Sequence, residues 1–156
     1  MTTLDRAGIE KLIPHRDPFL LIDRITELEP GVRAVGEHDF NGKEWYQAGH
    51  FPGNPIVPGV ILVESMAQVA TVLAMSLPEY RDGLGLFAGI DEMRFKRMVK
   101  PGDTGRFEAV IDKMRRGFAR VNVKTFVGGE LAAEGVIQAI FQSNADLAKR
   151  ASAERT

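Results

Sequence analysis

Apolar residues along the chain recur in two periods, and the switch between them divides the sequence into elements. Leu4, Ile9, Leu12 and Ile13 are spaced for one face of a short helix over residues 4–12, which Pro14 stops. Residues 19–28 form a β-rich run. Residues 32–40 then alternate, with Val32, Ala34 and Gly36 against Arg33, Val35 and Glu37, the period of two that a paired strand requires. Pro30-Gly31 marks the turn between these two segments.

Residues 41–58 carry Gly42, Gly49, Gly53, Pro52, Pro55 and Pro58, a density that no long regular element survives, so an ordered loop is expected. Residues 59–76 contain no proline and are dominated by helix formers, which predicts one helix of about five turns. The remainder reads as strands over residues 84–99, 106–115, 118–127 and 131–141. Pro101-Gly102-Asp103 separates the first pair, and Arg116-Gly117 and Gly128-Gly129 supply two tight antiparallel hairpin turns. From Ser143 the chain is polar and Ala-rich and is expected to fray.

The helix over residues 59–76 has almost no polar face, and a helix that is hydrophobic all round is expected to be buried on all sides. A curved antiparallel sheet wrapped around it is the simple solution. The expected class is α+β, with one domain over residues 1–142 and a polar tail over 143–156.

Composition narrows the function classes. A chain of 156 residues with 44% hydrophobic residues fits one globular domain with a real core. Cysteine is absent, which removes thiol nucleophiles, thiolate metal sites and disulfides. A net charge of −1 supplies no global field for nucleic acid or an acidic membrane. The stretch over residues 59–75 is the longest apolar one, but Glu64 and Gln68 interrupt it and it is short for a membrane span. Asp5, Arg6, Glu10 and Lys11 do not make a signal peptide. The reading is a soluble, cytoplasmic protein without membrane insertion.

Candidate chemistry concentrates in the loop and the helix after it. Glu64 lies in the second turn of an apolar helix, with Gln68 and Thr71 at i+4 and i+7 completing a narrow polar stripe. An unpaired carboxylate in such surroundings is costly, and burial favours the protonated acid, the form that serves as a general acid. A structural carboxylate paired with a strand arginine is the alternative. His50 sits in Gly49-His50-Phe51-Pro52-Gly53, a segment stiffer than a solvent loop needs, as suits a reactive group held in one place. A lone histidine is also commonly structural. Pro58-Gly59 opens the helix, whose first N–H groups are unpaired and carry the positive end of its dipole. Those amides can hold a polarised carbonyl oxygen, or they can be a plain proline-initiated helix start. The sequence has no G-x-S-x-G elbow, no H-E-x-x-H and no phosphate loop. His15, His38 and His50 lack metal-ligand spacing.

Residues 49–68, Gly-His-Phe-Pro-Gly-Asn-Pro-Ile-Val-Pro-Gly-Val-Ile-Leu-Val-Glu-Ser-Met-Ala-Gln, closely resemble the signature of 3-hydroxyacyl-[acyl-carrier-protein] dehydratases of the FabZ type. Residues 14–24, 87–97 and 99–103 resemble further blocks of that family in the same order, so the likeness covers about residues 9–142. The resemblance implies a hot-dog fold, a long central helix wrapped by a curved antiparallel sheet. It implies dehydration of (3R)-3-hydroxyacyl-ACP to trans-2-enoyl-ACP in fatty acid biosynthesis, with no cofactor and no metal. The catalytic pair maps onto His50 and Glu64, the carbonyl-binding amide onto Gly59 and a supporting residue onto Gln68. Phe51, Leu86 and Phe87 fall on the acyl tunnel. Two chains are expected to pair and build two sites, often as a trimer of dimers. Acyl carrier protein is acidic, and the run Arg94, Lys96, Arg97 and Lys100 is the expected docking site, with a solvated basic strand as the alternative.

The chain departs from the family pattern at Asp17 in place of Tyr, at Ser65 in place of Ala, at Leu86 in place of an aromatic gate, and in a longer loop over residues 42–48. These bear on gating and acyl length. Rival readings are a hot-dog acyl thioesterase, a dehydratase of a specialised polyketide or lipid pathway, an isomerising dehydratase, and a non-catalytic acyl-binding scaffold. The isomerising branch carries Asp where Glu64 stands, and a scaffold needs neither His50 nor Glu64.

Overall fold

The structure is a computed structural model and describes residues 1–155. Helix α1 (Arg6–Leu12) begins at Asp5, whose side chain accepts the Gly8 N–H at 2.8 Å. Strands β1 (Arg24–Glu29) and β2 (Arg33–Asp39) follow, then the loop, then α2 (Gly59–Met75) and a single 3₁₀ turn at Pro78–Tyr80. Four long strands complete the sheet: β3 (Leu84–Phe95), β4 (Thr104–Arg115), β5 (Phe118–Val127) and β6 (Glu130–Gln142). The order is β1-β2-β4-β5-β6-β3, and every neighbouring pair is antiparallel. The two predicted hairpins are present, and Arg116, Gly117, Gly128 and Gly129 all take the positive φ that a type I′ turn needs.

Helix α2 lies on the sheet against β2, β4 and β5 and buries Ile61, Leu62, Met66, Val69, Val72 and Leu73 there. The approach is close at Gly36 on β2, where a Cβ would stand 2.7 Å from Val69 Cγ2. This helix-in-sheet arrangement is the hot-dog fold, as expected.

Three details differ from the sequence reading. First, α2 is not buried on all sides: Val60 is 74% exposed, and Val63, Glu64 and Thr71 are half-buried on the same side. The sheet of one chain covers only part of the helix circumference. Second, the apolar run over residues 19–23 is not a strand, although Leu20, Leu21 and Ile22 are buried. A side chain takes two of its backbone groups: Gln68 accepts the Leu21 N–H and donates to the Phe19 carbonyl, each at 2.8 Å, while the Arg16 carbonyl accepts the N–H groups of Phe19 and Leu20 and the Glu37 carbonyl that of Asp23. Third, β3 ends at Phe95 because Lys96 and Arg97 both turn their N–H groups onto the Ala132 carbonyl. The Val99 carbonyl then accepts the Val57 N–H at 2.7 Å, which pins the end of the loop.

The polar segment after Gln142 forms α3 (Asn144–Glu154). Ser143 and Asp146 make a reciprocal capping box that supplies its start, while no residue of α3 is buried. Among the described residues no helix is long and apolar enough to cross a membrane.

Candidate active site

The loop over residues 41–58 is a chain of turns, and its two ends are fixed to the fold. At the first end, Glu44 accepts the N–H groups of Asn41 and Gly42, both at 2.9 Å, and contacts His38 Nε2 at 3.2 Å. On its other side His38 Nδ1 meets Asp23 Oδ1 at 3.0 Å, so one imidazole bridges two carboxylates. Burial by itself works to lower the His38 pKa, but the hydrogen bonds and charges of Asp23 and Glu44 outweigh it and raise the value. Asp23 and Glu44 are held below the usual carboxylate range: burial opposes this, while the bond to His38 and the backbone N–H groups win. At the second end, Val57 is anchored to Val99 as described.

Between these anchors stands His50. Its Nδ1 lies 2.9 Å from the Ile56 carbonyl oxygen. A carbonyl only accepts, so Nδ1 carries the hydrogen and the Nε2 lone pair of the neutral ring is left free. Gln47 Nε2 donates to the same carbonyl at 3.2 Å and is buried beneath the loop. The next residue, Phe51, is held at φ 48, unusual for a side chain of its size, with its ring 4.5 Å from that of His50.

Glu64 sits on the incompletely covered side of α2. Its Oε1 accepts from Gln68 Nε2 at 3.1 Å and lies 3.7 Å from His15 Nε2. Among the described residues no arginine reaches it, which removes the reading of Glu64 as the partner of a strand arginine. A cavity of about 110 Å³ opens beside it, lined by His15, Ala67, Thr71, Leu86, Phe87 and Ile137 among others. Pockets that enclose an organic ligand are roughly 300–1,000 Å³, so this cavity is smaller than such a site.

His50 and Glu64 make no contact within the chain. Phe51 belongs to a separate open groove with Glu44, Gln47 and Pro52, whereas Leu86 and Phe87 lie with Glu64. At the start of α2, Pro58 gives no side-chain cap, and the Gly59 N–H has no acceptor among the described residues. Gly59 also makes room for a neighbour, since a Cβ there would lie 2.9 Å from the Phe95 ring. In the basic run, Lys96 pairs with Glu134 at 3.6 Å and Arg97 with Glu130 at 3.1 Å. Arg94 and Lys100 have no carboxylate partner among the described residues. Also among the described residues, no group of three or more His, Cys, Asp or Glu is placed to hold a metal ion.

Sequence reasoning missed Gln47, His15 and the His38 bridge. Gln47 had no signal in its local pattern, because its partner is a backbone carbonyl across the loop. His15 stood in a block singled out for its resemblance, but nothing in its spacing from Glu64 told of their proximity.

The fold and the sequence have counterparts in known proteins. The structure is similar to that of the dehydratase heterocomplex ApeI:P from Xenorhabdus doucetiae, with a TM-score of 0.76 over 90% of this chain and 95% of that one at 14% identity, a likeness of fold alone. The FabA-like domain family matches residues 13–136. The 3-hydroxyacyl-[acyl-carrier-protein] dehydratase FabZ of Chloroflexus aggregans is 57% identical over 126 residues, which are 81% of this chain and 88% of that protein. The FabZ of Moorella thermoacetica is 49% identical over 132 residues, 85% and 92% of the two chains. That of Thermomicrobium roseum is 53% identical over 134 residues, 86% and 90%. With the helix-in-sheet fold, the His-bearing loop and the Glu-bearing helix all lying inside the matched span, the chain belongs to the FabA-like family, among the 3-hydroxyacyl-[acyl-carrier-protein] dehydratases of the FabZ type.

Proposed function

We propose that this protein eliminates water from (3R)-3-hydroxyacyl chains carried on acyl carrier protein, giving trans-2-enoyl-ACP in fatty acid biosynthesis. The observation that carries the chemistry is the hydrogen bond from His50 Nδ1 to the Ile56 carbonyl, which leaves Nε2 as a base. The thioester makes the C2 proton acidic enough for an imidazole to remove it. As the C2–H bond breaks, the thioester oxygen takes up negative charge and the free N–H of Gly59 receives it. Glu64 then protonates the C3 hydroxyl, the C3–O bond breaks, and water leaves with the C2=C3 bond formed. The proton on His50 returns to the Glu64 carboxylate through solvent. General acid–base help of this kind is worth about 10²–10⁴-fold.

The reacting pair is assembled from two copies of the chain, His50 of one facing Glu64 of the other. Support comes from the partial cavity, from the uncovered side of α2 at Val60, and from β3. That strand is a 12-residue sheet edge that exposes Leu86, Phe87, Ile90 and Phe95. A long apolar edge is an aggregation hazard unless another strand covers it. Pairing β3 with its copy would close the sheet and deepen the cavity around Phe51, Leu86 and Phe87 into an acyl tunnel. Three such dimers can associate further.

The test is hydration of a crotonyl thioester followed by absorbance, with free thiol measured alongside. His50→Ala and Glu64→Gln should each lose about 100-fold or more in kcat/KM with the fold retained. Retention of more than about a tenth by either variant would remove that residue from the mechanism. Thiol release in step with loss of the crotonyl signal would instead indicate hydrolysis and a thioesterase.

A further inference from the structure

Glu64 has two oxygens, and only one of them is engaged. Oε1 takes the hydrogen bond from Gln68 and faces His15 Nε2 at 3.7 Å; among the described residues nothing engages Oε2. His15 itself is held rigidly. Arg16 donates to the carbonyls of Ile13, His15 and Glu10 at 2.9, 2.7 and 2.9 Å, which locks the backbone on both sides of the ring. Gln68 ties the same segment to α2 through Phe19 and Leu21.

The state of the His15 ring follows from its surroundings. Its Nδ1 is buried with no hydrogen-bond partner. A buried N–H without an acceptor costs more than a bare lone pair, so the hydrogen belongs on Nε2, the nitrogen that faces Glu64. Protonating the ring would place a second N–H at Nδ1 with nothing to receive it. Burial likewise lowers the His15 pKa, against the upward pull of Glu64 and with a further push down from Arg16. The other walls of the cavity, from β3 and β6, present Gly85, Leu86, Phe87, Ile137, Ala139 and Phe141, none of them charged. Glu64 and Arg16 are thus the charged groups that His15 meets.

We propose that His15, as the neutral Nε2–H tautomer, is a positioning residue for Glu64: with Gln68 it holds Oε1 and leaves Oε2 to carry the proton for the departing hydroxyl. A neutral donor is suited to this task. An imidazolium at the same place would stabilise the Glu64 carboxylate and withhold the proton. The inference rests on the assignment of Glu64 as the acid.

The experiment compares His15→Asn, His15→Gln and Glu64→Gln in the crotonyl thioester assay, with thermal midpoints measured for each. Asparagine cannot reach Glu64, whereas the glutamine amide can place an N–H where Nε2 stands. His15→Asn should lower kcat about tenfold or more with KM changed less than about twofold, and His15→Gln should recover most of the loss. If His15→Asn does not fold, His15→Leu takes its place. Wild-type kcat in His15→Asn, or equal loss in both His15 variants, would overturn the proposal. Glu64→Gln separates the two levels: if it is inactive while His15→Asn turns over normally, only the positioning role falls, and if it stays active the acid assignment falls first.

Discussion

A single imidazole between two carboxylates holds the start of the loop that carries His50. His38 joins Asp23, ahead of β1, to Glu44 in the loop, and Glu44 in turn closes the turn at Asn41 and Gly42. The folded pKa of His38 is raised above its ordinary 6.5. Its contribution to stability is therefore fully present below that ordinary value and is lost as pH rises through the raised one. Asp23 and Glu44 are lowered, so their share is present above the normal carboxylate range and fades only as pH falls below it. The bridge is strongest in the window between, from about pH 5 to pH 6.5. His38→Gln should accordingly lower the thermal midpoint more at about pH 6 than at about pH 9. Midpoints of both proteins at the two pH values check this, and an equal or larger penalty at the higher pH would remove His38 as a charged anchor. Very little of this was legible in the sequence. His38 stood in a recognised strand, but both partners come from segments that only the fold brings alongside.

Among the elements, β3 combines several tasks. It pairs with β6 along one side, leaves its other side open, walls the Glu64 cavity with Leu86 and Phe87, and ends beside the start of α2 where Phe95 packs on Gly59. Its ladder slips twice, between Phe87 and Gly89 and between Asp91 and Arg94. Each slip disturbs the alternation of a plain strand and bends the edge. Beyond Phe95 the basic run is partly neutralised by Glu130 and Glu134, so the charge available to an acidic carrier rests on Arg94 and Lys100. We therefore expect Arg94→Glu to raise KM for carrier-bound substrate several-fold and to make it less sensitive to salt. Turnover of a short pantetheine analogue should be unaffected, because the analogue brings no acidic surface. Equal loss on both substrates would place the damage in the tunnel and end the docking idea. The density of basic residues was visible in the sequence, but which of them are already paired depends on β6 and its hairpin lying alongside.

At the scale of the whole molecule, the proposed unit of function is a pair of chains. Each copy would lend His50 to one site and Glu64 to the other, so a mixture of His50→Ala and Glu64→Gln chains should regain activity that neither has alone. With random exchange half the dimers are mixed, each with one intact site, and recovery should approach about a quarter of wild type. Mixing after brief unfolding and refolding, followed in the crotonyl assay, reads this directly; no recovery despite exchanged subunits would mean that each chain works by itself. The sequence alone determined the helix, the hairpins and the α+β class, and singled out the segment that carries His50 and Glu64. Those rest on local rules: apolar periodicity, turn residues, and proline and glycine at fixed places. Tertiary structure decided the rest. It showed that Gln68 ties Phe19 and Leu21 to α2 where no strand ladder forms, that the Ile56 carbonyl is the hydrogen-bond partner of His50 within the chain, and that α2 keeps one side uncovered. Each of these depends on groups far apart in the chain meeting across the sheet, and pairings of that kind leave no period in the sequence to be read.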